Sequence, residues 1–257
     1  MGIHKTALIH PDAVLGVDVQ VGPNTIIGPN VKIGANTIIG PNVVIEGTVE
    51  IGGKCQIYTG AIIGNPPQDL KYKGEDTKAV VGSGTIIREY VTINRGTSAT
   101  GETRIGDNCL LMAYVHIAHD CIVGNNVVLA NNATLAGHVM VDDRAIIGGL
   151  TPIHQFVRIG LLAIVGGYSR VTKDVPPYCK AAGSPLRMYG LNTIGLQRSN
   201  ISVNAREDLK RAYKILFRSK RNTTQAIKCL EALKDRCDEV NTLISFIKES
   251  ERGICKE

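Results

Sequence analysis

Residues 21–45 read VGPNTIIGPNVKIGANTIIGPNVVI. Every sixth residue is aliphatic: Val21, Ile27, Ile33, Ile39 and Ile45. A glycine follows most of them, at Gly22, Gly28, Gly34 and Gly40, and four places on stands a small or β-branched residue, Thr25, Val31, Thr37 or Val43. A fixed period of this kind marks a repeat architecture. One large and one small inward position per hexad is what a narrow parallel β-helix needs. Each hexad then supplies one short strand and a turn, and three hexads close a triangular coil. Strands pair between successive coils, so unpaired edges remain only at the two ends. Asn24, Asn30, Asn36 and Asn42 each stand at the same place in their hexad, between the anchor and the small residue. They are expected to turn the corners with left-handed backbone angles.

Outward from this stretch the aliphatic series extends back to Ile3 and on to Ile63. A polar segment near 65–79, punctuated by Pro66, Pro67 and Gly74, reads as a loop. The hexads return at Val81, Ile87 and Ile93, break at a second polar segment near 95–104, and then run from Ile105 to Val171. The β-helix is therefore expected over 1–177, ending at Pro176-Pro177, and a linker over 178–203. From 204 to 257 the period becomes helical: Leu209, Ala212, Tyr213, Leu216 and Phe217 share one face. Asn204 with Glu207 predicts the N-cap and its box partner. Further helical sets follow at Ala226, Leu230 and Leu233, and at Val240, Leu243, Ile244 and Ile247. So small a helical domain is expected to pack on the β-helix or on a neighbour.

Composition narrows the function classes. The chain has no Trp and three Phe, so its apolar core must come from Ile, Val and Leu. A net charge of +6 without an aromatic-interleaved basic stripe argues against nucleic acid. No apolar run is long enough to span a membrane, and the N-terminal residues lack a secretory h-region. Seven cysteines without a CxxC pair fit reduced thiols in a cytoplasmic protein.

Three of the six histidines, His116, His119 and His138, fall between Met112 and His138. Counting three hexads on stacks His119 against Gly137, Gly137 against Gln155, and Asp120 against His138, with His154 beside Gln155. A ladder of Val, Ile, Thr and Asn has little packing use for clustered imidazoles. Two chemistries suit the patch. One is a zinc site with imidazole ligands, as in a hexapeptide-repeat carbonic anhydrase. The other is a general base with a backbone N–H, such as that of Gly137, stabilising an oxyanion. A non-catalytic repeat scaffold would carry an ordered polar ladder instead. By strand alternation alone, Asp120 would face away from His119.

The strings HIAHDC at 116–121, LANNATLAGHV at 129–139, IHQF at 153–156, DVPPY at 174–178 and QDLKY at 68–72 resemble, in order and spacing, the UDP-N-acetylglucosamine O-acyltransferase family. The resemblance covers almost the whole chain. It implies a mainly β protein, a left-handed parallel β-helix with a small C-terminal helical domain, assembled as a homotrimer with clefts between subunits. It implies transfer of an (R)-3-hydroxyacyl chain from acyl carrier protein to the glucosamine 3-position of UDP-N-acetylglucosamine, the first step of lipid A biosynthesis. No resident cofactor is implied, because the 4′-phosphopantetheine arrives on the carrier protein, and no metal. The resemblance makes His119 the catalytic base, Gly137 the oxyanion donor and Asp120 the group that orients the base. It makes His116, His138, His154 and Gln155 substrate contacts. Asp69 and Lys71 belong to its sugar-holding loop, Asn192 and Arg198 to its nucleotide end, and Gly167 to the position that limits acyl length. Two residues depart from the pattern near the nucleotide end: Ile194, where Glu is common, and Pro185, where His is common. An N-acyltransferase acting on a 3-amino UDP-sugar stays open as the alternative. A related transferase that N-acylates the next lipid A intermediate carries a large domain ahead of its hexads, whereas here the hexads begin at Ile3. The basic residues Lys210, Arg211, Lys214, Arg218, Lys220 and Arg221 are either a solvated face or a dock for the acidic carrier.

Overall fold

The computed structural model describes residues 2–233 and 235–256. The hexads form short strands in three parallel sheets, the three faces of a helix. The first sheet runs from Leu8–Ile9 to Pro152–Ile153, the second from Val14–Leu15 to Arg158–Ile159, and the third from Gln20–Val21 to Ile164–Val165. All the anchors from Val21 to Val171 are buried, each at most 4 % exposed. Ile3, in the first coil, is 56 % exposed, since among the described residues no coil packs beneath it.

Pairing registers locate the two insertions. Ile117 pairs with Leu135, and Leu135 with Ile153, so each of these coils is three hexads long. Ile63 pairs with Ile93, and Ile93 with Ile117. The first of those two coils is longer than its neighbours by the length of two hexads and the second by the length of one. The excess is the two polar segments. Both leave the helix at the same corner, between the first and second sheets: Ile62–Asn65 is followed by Lys78–Val81, and Thr92–Asn94 by Glu102–Ile105. His119 and Asp120 occupy that corner on the next coil.

Asn24, Asn36 and Asn42 turn corners at φ 57°, 60° and 55°. Asn30 does not. Its carbonyl accepts from the Val49 N–H, and an extended strand starts at once with Val31–Ile33. The same slot holds side chains that composition would not place there, including Asp120 (59°), His138 (62°), Leu150 (55°) and Phe156 (63°).

Residues 178–203 are not a plain linker. Cys179–Ala182 adds to the third sheet in parallel, and Arg187–Leu191 returns antiparallel to it. Cys179 and Ala181 are buried and close the top of the core, which is why the segment stays ordered after the hexads stop. Helix α1 (Thr193–Arg198) follows. Helix α2 (Val203–Phe217) starts earlier than Asn204 suggests, capped by Ser202, whose side chain accepts from the Ala205 N–H. Both residue types cap well. Ser202 is selected because Ala205 is already buried in the first turn. Helix α3 (Thr223–Glu231) has a full capping box between Asn222 and Gln225, and α4 is Asp238–Lys248. Leu233 lies past the end of α3 and is 42 % exposed. The helices pack on the β-helix: the Arg158 guanidinium lies 4.6 Å from the Phe246 ring centre, and Ser250 donates to Asp174 at 2.6 Å. Among the described residues no helix is long and apolar enough to cross a membrane.

Candidate active site

The corner after the first-sheet strand His116–Ile117 brings the central pair together. His119 and Asp120 are turn residues, and Asp120 has positive φ, so the alternation of a strand does not separate them. This corrects the expectation that they face apart. His119 Nδ1 lies 2.7 Å from Asp120 Oδ2. The Asp120 side chain is wholly buried and holds three further hydrogen bonds from the second insertion. Thr97 donates its N–H to Oδ1 at 2.9 Å and its hydroxyl to Oδ2 at 2.7 Å, and the Thr100 hydroxyl donates to Oδ1. Burial pushes the carboxyl pKa up, but the hydrogen bonds from Thr100, His119 and Thr97 outweigh it and hold the pKa at about 2. An ionised carboxylate only accepts, so His119 Nδ1 carries the hydrogen, which in the neutral ring leaves the lone pair on Nε2.

That lone pair sits against bare backbone. A Cβ on Gly137 would lie 2.5 Å from His119 Cε1 and 2.7 Å from Nε2. The imidazole therefore occupies the space that glycine leaves open. Among the described residues the Gly137 N–H has no acceptor, whereas the N–H groups on either side of this slot, of Ala136 and His138, are both bonded. The His119 ring and the unbonded Gly137 N–H thus belong to one corner.

The other imidazoles surround the pair. His116 Nδ1 is 2.7 Å from the Thr92 hydroxyl, and burial, with a smaller effect of His119, pushes its pKa down. His138 meets the His119 ring edge-on at 5.2 Å and stacks on Phe156 at 4.5 Å. Its Nε2 is 3.7 Å from Asp120 Oδ2. Burial lowers its pKa, and the charges of Asp120 and Asp69 oppose that only in part. Both rings are therefore kept neutral near neutral pH. His154 and Gln155 are exposed on the next coil, with His154 Nδ1 3.2 Å from the Gln155 carbonyl.

The first insertion is pinned by Arg95, which donates to the Tyr72 hydroxyl at 2.9 Å and to the Gly64 carbonyl at 3.0 Å. Asp69 accepts from the Lys71 N–H at 3.0 Å within this loop, and Lys71 is exposed. Gly167 lies at an exposed corner where a Cβ would come 3.2 Å from the Gly149 carbonyl oxygen. Asn192 is 4 % exposed and both ends of its amide are engaged: Oδ1 caps α1 at Gly195 and Nδ2 donates to Leu162 O. It shapes a cavity of about 340 Å³ that is shared with Arg198, Ile194, Lys180 and Arg144. Pro185 lines a different cavity, so in the single chain the two departures from the family pattern do not adjoin. The basic face of α2 is not simply solvated, since Lys210, Lys214 and Arg218 rim an apolar cavity of about 570 Å³ with Tyr189 and Leu196.

His119, Asp120 and His138 are also the one group among the described residues with metal-ligand spacing. The carboxylate is poorly free for it, because a metal would displace the hydrogen bonds from His119, Thr97 and Thr100. Thr97, Thr100, Phe156 and Arg95 were not identified from the sequence. Counting along the corner column places 95–101 beneath Asp120, and that was the available signal.

Known proteins are similar to this chain across its whole length. Residues 174–255 match the family model described as Udp N-acetylglucosamine O-acyltransferase, Domain 2, and residues 102–137 match the bacterial transferase hexapeptide model. The acyl-[acyl-carrier-protein]–UDP-N-acetylglucosamine O-acyltransferase of Myxococcus xanthus is 51 % identical over 99 % of both chains. The solved UDP-N-acetylglucosamine acyltransferase of Campylobacter jejuni is 40 % identical and superposes with a TM-score of 0.94 over 99 % of each chain. The enzyme of Francisella novicida is 36 % identical with a TM-score of 0.96, covering 99 % of this chain and 94 % of that one. With that identity over full length, on a left-handed β-helix of hexapeptide repeats followed by helices, this chain is an acyltransferase and belongs to the acyl-[acyl-carrier-protein]–UDP-N-acetylglucosamine O-acyltransferase family.

Proposed function

We propose that this protein transfers an (R)-3-hydroxyacyl chain from acyl carrier protein to the 3-hydroxyl of UDP-N-acetylglucosamine, the first step of lipid A biosynthesis. It acts in the cytoplasm as a homotrimer. The observation that carries the reading is the His119 imidazole, oriented by a buried anionic Asp120 and laid against a glycine whose N–H is free. His119 Nε2 takes the proton of the sugar hydroxyl as the oxygen attacks the thioester carbonyl carbon. The Gly137 N–H donates to the oxyanion of the tetrahedral intermediate. The intermediate collapses, the C–S bond breaks, and the departing thiolate takes the proton back from His119. Asp120 stabilises the imidazolium formed between the two transfers. His116, His138, His154 and Gln155 hold the substrates, Asp69 and Lys71 the sugar, and Asn192 and Arg198 the nucleotide end. Neutral His116 and His138 suit this work, because each ring offers one donor and one acceptor.

The test is turnover of hydroxyacyl carrier proteins of several chain lengths with UDP-N-acetylglucosamine and its 3-amino analogue, the products read by mass. The wild type is expected to give one O-acylated product. His119→Ala is expected to lose roughly 10²–10⁴-fold in kcat with assembly unchanged. Near-wild-type turnover by a correctly assembled His119→Ala enzyme would refute the base assignment, and preference for the amino sugar would refute the acceptor.

A further inference from the structure

A second concentration of charge lies at the top of the β-helix, away from the His119 corner. Arg170 and Lys173 at the end of the hexads, Arg187 in the hairpin and Lys256 near the C-terminus line one cavity of about 660 Å³. Among the described residues no carboxylate lines it and none of these four cations is ion-paired. Some cations elsewhere are paired, Arg88 with Glu89, Arg104 with Glu102, Arg158 with Glu249 and Lys248 with Glu231; what sets these four apart is that they share one cavity. The Lys256 ammonium donates to the Arg221 carbonyl at 3.3 Å, its one hydrogen bond among the described residues, and burial pushes its pKa down. Gathering like charges without counterions is unfavourable unless an anion joins them.

The cavity also has a direction. Arg170, Thr172 and Ser184 line both it and a neighbouring groove of about 300 Å³ whose walls include His154 and Tyr168. One ligand can therefore lie with its body along the groove, one end at His154 and an anionic group among the cations. Guanidinium forks with ammonium groups and hydroxyls are a donor set suited to phosphate oxygens, which accept several charge-assisted hydrogen bonds at once.

We propose that the cavity walled by Arg170, Lys173, Arg187 and Lys256 binds the phosphate group of a phosphate ester. Two sources share that chemistry: the phosphodiester of the pantetheine arm that delivers the acyl group, and a free phosphorylated small molecule. Phosphate binding stands independently of the acyl-transfer reading, and only the first source rests on it.

The experiment titrates the full-length protein by calorimetry with inorganic pyrophosphate and with 4′-phosphopantetheine. The wild type is compared with the double variant Arg170→Gln/Arg187→Gln and its charge-keeping counterpart Arg170→Lys/Arg187→Lys. Both arginines are exposed, so the fold is expected to stand, with circular dichroism as the check. The glutamine variant is expected to bind roughly tenfold or more weakly, and the lysine variant to keep most of the affinity. A nucleotide site elsewhere would contribute equally to all three proteins, so the difference reads this cavity. If the pantetheine arm is the source, the glutamine variant also shows a raised donor KM at unchanged kcat. If a free phosphate compound is the source, ligand binding falls while donor KM does not move. Equal binding by wild type and glutamine variant, or no binding by either, would overturn the proposal whatever the turnover.

Discussion

At His119 the chemistry depends on a carboxylate that the imidazole cannot hold alone. Thr97 and Thr100 supply three of the hydrogen bonds that keep Asp120 ionised in a buried place. They are positioning residues that act through Asp120. Thr97→Val with Thr100→Val is therefore expected to cost roughly tenfold in kcat with little change in either KM, and to raise the Asp120 pKa in carboxyl-labelled NMR spectra. An unchanged pKa would mean that the loop does no more than fill space. The same carboxylate ties stability to pH. Its folded pKa, about 2, is below the ordinary value of 3.8, so the unfolded chain binds the proton more readily. The increment, of order 2 kcal/mol, is complete above about pH 4 and is lost as pH falls towards 2. His116 and His138, with pKa values held down by burial, act earlier and with the same sign: stability falls as pH drops below about 6.5, where the unfolded rings gain protons. Thermal melts between pH 8 and 2 are expected to show both stages, and Asp120→Asn is expected to lose the lower one.

At the scale of elements, the corner does most of the specifying. A left-handed backbone at a residue other than glycine costs about 1–2 kcal/mol. The helix accepts that at His138, Phe156 and Asp120, where the side chain is used. Lys54 sits in the same slot at φ 58°, exposed and, among the described residues, without a side-chain hydrogen bond. Lys54→Gly is expected to stabilise the fold by about 0.5–1 kcal/mol, read as a rise in the denaturation midpoint, since the relief of strain exceeds the added chain entropy of glycine. The insertions are legible as interruptions of the hexads, and the pairing registers identify the two coils that carry the extra length. Their common exit at one corner explains why two polar loops flank one site. The hairpin at 179–191 was not legible, because Gly183, Pro185 and Gly190 read as punctuation, while the burial of Cys179 and Ala181 depends on an open end of core that only the assembled helix presents.

At the scale of the molecule, one edge of the helix is apolar without being covered. Tyr90, Tyr114, Leu150 and Tyr168 are 50 %, 56 %, 46 % and 79 % exposed along the corner between the third and first sheets, and Tyr90 stacks on Tyr114 at 5.3 Å. Asn132 stands in the same column between Tyr114 and Leu150, so the edge carries two exposed apolar stretches; patches of this kind mark interaction surfaces, and these support the proposed threefold assembly with clefts shared between subunits. Sedimentation is expected to give a trimer. Tyr114→Glu is expected to lower both association and turnover, although Tyr114 lies outside the base and its partners. A fully active monomer would remove the assembly from the proposal.

The hexads alone determined the coil, its core and its triangular section, because an aliphatic residue every sixth position can be buried continuously in no other simple way. They also determined that His119, Gly137 and Gln155 share a column, because a coil of three hexads makes stacking a matter of counting. Tertiary structure decided what the count could not reach. Asp120 turns towards His119 because the corner residue takes a positive φ and the strand alternation lapses there. Thr97 and Thr100 reach that carboxylate because an insertion from the coil below folds back across the corner. The cations at 170, 173, 187 and 256 come together because the top of the helix, the hairpin and the C-terminus close over one end of the core. Each of these depends on where the backbone turns, and the hexad pattern constrains what lies inside a coil far more tightly than what leaves its corners.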